Sequence, residues 1–241
     1  MSSEAQPNES KRKQVRYAVS DDCRVRASIL LRSSDPATAS KDWRGTLVDV
    51  SSEGAHIQIS LGAVAYTGDA CVLNLSHNGL KAEVRGNLAH YVCSARYSMC
   101  GVRFDFSFGG AEKSYQPFFN TLIASSGLVP GQAGAESAGR HREEYNGPGP
   151  AKLQVWRDEA GAGATIIGFD YAMVKYAAFL TKADTDMFKN KEQVRFKLAD
   201  GTGAALSKAQ EMEARWEFSL AASNLPKVIA PDIRRLLRLV S

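Results

Sequence analysis

The chain is poor in cysteine and histidine and has no long apolar run, and each shortage removes a class of protein. Its 241 residues include four cysteines, Cys23, Cys71, Cys93 and Cys100, with no C-x-x-C pair and no histidine at zinc-ligand spacing. A zinc site and a disulfide scaffold are therefore disfavoured, and buried free thiols are expected. Nowhere do apolar residues continue for the roughly 20 positions a membrane-crossing helix requires. The opening "MSSEAQPNESKRK" has no apolar stretch after its first charges, so neither a signal peptide nor an anchor is expected, and the location expected is cytoplasmic. The four histidines lack a Cys or Asp partner at catalytic spacing, and G-x-S-x-G, H-E-x-x-H and the P-loop are all missing. The glycines of "GTGAAL" are not followed by the Lys-Ser/Thr of a phosphate loop. The expectation is a binding protein, not an enzyme, with no metal and no cofactor.

Hydrophobic residues make up 44% of the chain and charged residues 23%, the balance of an ordinary globular protein, and a net charge of +4 does not demand a nucleic-acid surface. The positive charge is instead concentrated. After a polar tail, residues 1–10, read as disordered, "KRKQVRY" sets four cations on an arm just ahead of the first strand pattern. From "CRVRASILL" through "WRGTLVDV", "GAHIQIS", "ACVLNLS", "LKAEVRGNLAHYVC" and "MCGVRFDF", short alternating segments recur between turn residues. That pattern predicts a small closed β-barrel. "AEKSYQPFFNTLIAS" then has helical spacing, with Tyr115, Phe118, Phe119 and Leu122 on one face to pack on the barrel.

Residues 125–151, rich in Gly, Ala, Pro and charge, read as a flexible linker. Beyond them "KLQVWRD", "ATIIGFDYAMVKYAAFLTK", "EQVRFKLAD" and "EARWEFSL" read as β segments ahead of a terminal helix, "APDIRRLLRLV". The order repeats that of the first half. The expected fold class is thus mainly β: two small six-stranded-type β-barrels, 11–124 and 152–241, each followed by a helix and joined by the linker. Set against each other, the corners align Asp49, Ser51 and Gly54 with Asp170, Ala172 and Lys175, so only the aspartate is kept.

Two short motifs bear on function. Arg12 and Arg16 form R-x-x-x-R on the basic arm, a spacing expected about once by chance in a chain of this composition. Arg234 and Arg238 repeat it in the C-terminal helix, where a solvated face is the expectation. The corner in "TLVDVSSEGAHIQIS" supplies Asp49, Ser51 and Gly54, residues that a plain hairpin also favours. Arm and corner in this order are far more specific than either alone.

Together they resemble the PilZ domain family, whose signature is R-x-x-x-R on an N-terminal arm followed by D/N-x-S-x-x-G. Here these are "RKQVR" at 12–16 and "DVSSEG" at 49–54, and "GVRFDF" at 101–106 is similar to the family's late barrel strand. The resemblance spans 11–124. It implies a bacterial second-messenger receptor whose six-stranded barrel binds cyclic di-GMP through Arg12, Arg16, Asp49, Ser51 and Gly54. Arginine suits such a ligand, since its planar fork donates to guanine O6 and N7 or to phosphate and stacks on a base. Lys11, Lys13, Ser52 and His56 are secondary contacts. The resemblance implies signalling by domain rearrangement to a protein partner through the C-terminal domain, or dimerisation by that domain, with motility, exopolysaccharide or virulence as output. The alternatives are a ligand-independent adaptor of the same family and a basic-arm barrel that binds nucleic acid. The second is disfavoured because Phe104, Phe106, Phe118 and Phe119 recur as core residues rather than as a stacking platform.

Overall fold

The computed structural model describes residues 14–33, 35, 37–39, 41–107, 109–131, 134–135, 140–159, 164–184 and 186–241. Arg12, Lys11, Lys13 and the 1–10 tail lie outside them. After a short β1, Tyr17–Ala18, at the end of the arm, where no strand is expected, alternation in the first half becomes strand at every segment singled out above: β2 Arg26–Leu31, β3 Asp42–Ser51, β4 Gly54–Ile59, β5 Ala70–His77, β6 Leu80–Cys93 and β7 Ser98–Phe104. In β5 the period of two sends Cys71, Leu73 and Leu75 inward and leaves Val72 and Asn74 partly exposed. Asn78 and Gly79 join β5 to β6 with φ of 46° and 92°, the positive values that a two-residue hairpin turn requires. Neighbouring strands run β3-β2-β5-β6-β7-β4, and β4 pairs back onto β3, so β2 to β7 close into an antiparallel barrel.

The helix α1, Ala111–Ser126, buries Tyr115, Phe118, Phe119 and Leu122 in the barrel's core, the face its spacing predicts. All four cysteines are free. Cys71 and Cys100 are buried, and burial pushes both thiols up to about 12, whereas Cys93 is exposed. No described helix is long and apolar enough to cross a membrane.

The second half departs from expectation in three places. First, strands occupy the segment read as linker: β8 Val129–Pro130, β9 Gly134–Ala135 and β10 His141–Asn146. β10, "HREEYN", buries only Tyr145, and its acidic residues are tied into the sheet, Glu143 to Arg157 and Glu144 to Lys152 and Gln154. Its partners are charges, so hydropathy does not reveal it. Second, "EARWEFSL" is helical, inside α3, Lys208–Ser223, which opens on a capping box of Ser207 and Gln210 and buries Ala214, Phe218, Ala221 and Ala222 on one face. Third, the sheet is not a barrel. β11 Lys152–Arg157, β12 Ile166–Ala172, β13 Tyr176–Leu180 and β14 Arg195–Leu198 extend an open antiparallel order, β14-β13-β12-β11-β10-β8. The apolar layer that further strands would supply comes from α3 and α4, Pro231–Val240, through Phe218, Ile233 and Leu237; α2, Met187–Gln193, packs on α4.

The halves are joined by packed helices. Trp216 of α3 meets Phe118 of α1 edge to face at 5.5 Å, and Leu220 is buried in the barrel's core cluster. Asn224 accepts from Ser20 N–H at 2.8 Å and donates to Leu122 C=O at 3.0 Å and Ser125 Oγ at 3.2 Å. Arg238 lies 2.5 Å from the Asp22 carboxylate and Arg234 3.9 Å from the same group. That pair is therefore a tie between α4 and the chain ahead of β2, not the solvated face its helical spacing suggests.

Candidate functional site

The corner residues are placed by an irregularity in β3. Leu47 and Val50 are both buried, which strict alternation forbids, and a β-bulge at Val48 resolves the conflict. Asp49 is thereby paired with His56 on the outer wall, while Val50 faces Ala55 inside. β1 lies along this segment, with Tyr17 opposite Val50 and Ala18 opposite Asp49, so Arg16 arrives beside the carboxylate.

Asp49 bridges two side chains, one from the arm and one from β4. Arg16 Nη1 donates to Oδ1 at 2.6 Å, and His56 Nδ1 lies 2.7 Å from Oδ2. Burial alone would raise the Asp49 pKa. The hydrogen bonds from His56 and Arg16, with their charges, outweigh burial and hold the carboxyl below its ordinary value. Arg16 commits Nη1 to Asp49, and its guanidinium remains 29% exposed, which leaves donors of its fork for another acceptor.

Ser51 and Gly54 are placed differently from Asp49. Ser51 is 1% exposed, and its hydroxyl donates to Gly54 C=O at 3.2 Å across the turn, while the Ser51 carbonyl accepts from Tyr115 Oη at 2.8 Å. A Cβ on Gly54 would stand 2.4 Å from the Val102 carbonyl oxygen, so glycine is needed for β7 to approach. These two residues shape the corner, and helix α1 locks it. Gly54→Ala is expected to cost about 1–3 kcal/mol of stability through overpacking, read as a lower urea midpoint. An unchanged midpoint would contradict the close approach. Ser52 is exposed at the turn.

Sequence reasoning ranks His56 as secondary, yet it touches Asp49 directly, and it misses His90 altogether. The His56 and His90 rings meet edge to face with centroids 4.7 Å apart. His90 lies over Gly101, which pairs with both histidines from the strand between them. Only the register of β4, β7 and β6 brings 56 and 90 together, and no local spacing signals it. Arg16 also borders an open cleft of about 410 Å³ between the arm and the second half, where Asn224 and Lys227 line the far side. Asp170, the counterpart of Asp49, is taken by Lys197 at 2.6 Å. Among the described residues no three His, Cys, Asp or Glu side chains gather as a metal site.

A scan of the chain against protein-family models finds no match, and a search of curated proteins finds none either.

Proposed function

We propose that this protein is a cyclic di-GMP receptor of the PilZ type, with the ligand held on the outer wall of the barrel beside β3 and β4. The observation that supports the reading is the Arg16 to Asp49 pair at 2.6 Å, in which the two halves of the signature, 33 residues apart, meet at one place. Arg16 donates from its fork to a guanine edge or a phosphate, and Arg12 adds a second fork. Asp49 accepts from guanine N–H donors once its bond to Arg16 rearranges. Ser51 and Gly54 act by holding the corner in shape. The cleft beside Arg16 carries the signal, because a ligand there also faces Asn224 and Lys227 of the second half, from which a protein partner reads the change.

Calorimetric titration with cyclic di-GMP tests this. Arg16→Ala is expected to weaken binding by on the order of 2 kcal/mol, about thirtyfold, through loss of a charge-assisted contact, with circular dichroism unchanged. Arg235→Ala, at an exposed position on α4, is the control and leaves affinity intact. Cyclic di-AMP, with an amino donor in place of guanine O6, is expected to bind about tenfold or more weakly. Absence of heat with the wild-type chain would favour a ligand-independent adaptor, and equal affinity for the two dinucleotides would mean that phosphate charge alone is read.

A further inference from the structure

We infer that the face of the second sheet turned away from its helices binds a planar nucleobase bearing a phosphate, the chemistry shared by a free nucleotide and single-stranded nucleic acid. Burial alternates along β11 and through the middle of β12 and β13, apart from the small Gly168 and Ala177, which are buried on the outer side. Leu153, Val155, Phe169, Tyr171, Ala178 and Leu180 are buried with α3 and α4. The residues between them, Gln154, Trp156, Asp170 and Phe179, therefore point the other way, and all four are only partly buried. Two aromatic rings on the solvent side of an antiparallel sheet form the platform that the barrel lacks.

Register gathers them around a gap. Trp156 pairs with Gly168, and Asp170, two residues further on, pairs with Phe179. On the barrel, the space above Gly101 is filled by the His90 ring, which a Cβ would meet at 2.2 Å. Above Gly168 no ring comes so close: the nearest atoms are the Leu180 carbonyl oxygen at 2.6 Å and the Thr181 carbonyl at 3.5 Å. A niche of about 290 Å³ opens there, walled by Trp156 and Phe179 and edged by Asp170, Thr181 and Arg140.

The lining selects the ligand. Two ring faces favour a flat aromatic body, and a carboxylate at the edge accepts from a ring or exocyclic N–H. Lys197 fixes this edge, with Nζ 2.6 Å from Asp170 and 5.1 Å from the Phe179 ring centroid. Arg140, exposed and without a carboxylate within 4 Å among the described residues, suits a phosphate attached to that body. A lipid chain would leave Arg140 unanswered, and a bare phosphate would leave both rings bare.

The test is an amide and indole NMR titration of the full chain with GMP, guanosine and a single-stranded octanucleotide. GMP is expected to shift the Gly168 amide and the Trp156 indole N–H while leaving the indoles of Trp43 and Trp216 in place. Phe179→Leu and Trp156→Leu keep an apolar side chain but remove a ring, and each is expected to weaken binding about tenfold, followed at the Gly168 amide. Arg140→Ala weakens GMP and leaves guanosine unchanged. Arg16→Ala changes none of this, so the outcome is separate from that for cyclic di-GMP. Tighter, salt-dependent binding of the octanucleotide identifies a strand as the source, and equal affinity per base identifies a free nucleotide. No shift at Gly168 and Trp156 with either GMP or the octanucleotide at millimolar concentration, or binding that survives both ring substitutions, overturns the assignment.

Discussion

Arg157→Ala is expected to lower folding stability by about 3–5 kcal/mol, measured as the fall in unfolding free energy in urea, because it breaks a buried charge network and leaves the partners behind. The Arg157 side chain is 5% exposed. Its Nε is paired with Glu143 of β10, and Nη1 donates to Asp232 of α4 at 2.6 Å and to the Ala164 carbonyl at 2.8 Å. Burial alone would lower the guanidinium pKa, but the bonds to Asp232 and Glu143 more than reverse this, so the group is charged at every accessible pH. Asp232, half exposed, returns to water when the guanidinium is lost. Among the described residues Glu143, 23% exposed, keeps the 2.8 Å bond from Tyr145 Oη, and the Ala164 carbonyl loses its bond from Arg157. The double replacement Arg157→Met with Glu143→Leu is expected to be much milder, because no orphaned charge remains. A loss under about 1 kcal/mol for Arg157→Ala would show that the network is hydrated in solution.

Phe218→Ala is expected to cost about 3–5 kcal/mol, the usual range for deleting a buried ring whose surroundings relax only in part. Phe218 is 1% exposed and sits among Phe169, stacked at 5.9 Å, Phe196 at 6.0 Å and Tyr171 at 6.5 Å. It packs α3 onto a sheet that is open among the described residues. Phe218→Leu, which fills much of the same volume, is expected to cost markedly less. Similar losses for the two variants in a calorimetric melt would mean that aromatic geometry, not filled volume, holds the helix down.

How much of this was legible depends on what each residue's partner is. The barrel was readable because β2 to β7 alternate apolar and polar residues and their turns carry Asn, Gly and Ser, so each strand announces itself locally. Arg16 and Asp49 were readable as a pair of motifs, though their contact needs β1 to lie on β3 and the bulge at Val48 to turn the carboxylate outward. The second half was less readable because its order is set by distant charges. β10 has little apolar periodicity and relies on Arg157 and Lys152, and "EARWEFSL" alternates well enough to imitate a strand until Ser207 and Gln210 cap it as a helix. The roles of Gly54 and His90 follow from atoms that strand register brings near, and that of Ser51 from the turn and from Tyr115 of α1.

The bulge at Val48 also guards the barrel against folding wrongly. If β3 paired with β4 without it, each residue beyond Leu47 would move one place along the ladder, setting Asp49 against Ala55 inside and turning Val50 out. Burying that carboxylate among Leu47, Ile57 and Val102 would cost several kcal/mol, more than one hairpin of six residue pairs can recover. A slipped hairpin would thus carry an unpaired carboxylate into the core, and the Asp49 charge on the barrel wall is the mark by which the strand that bears it is told from its misregistered form.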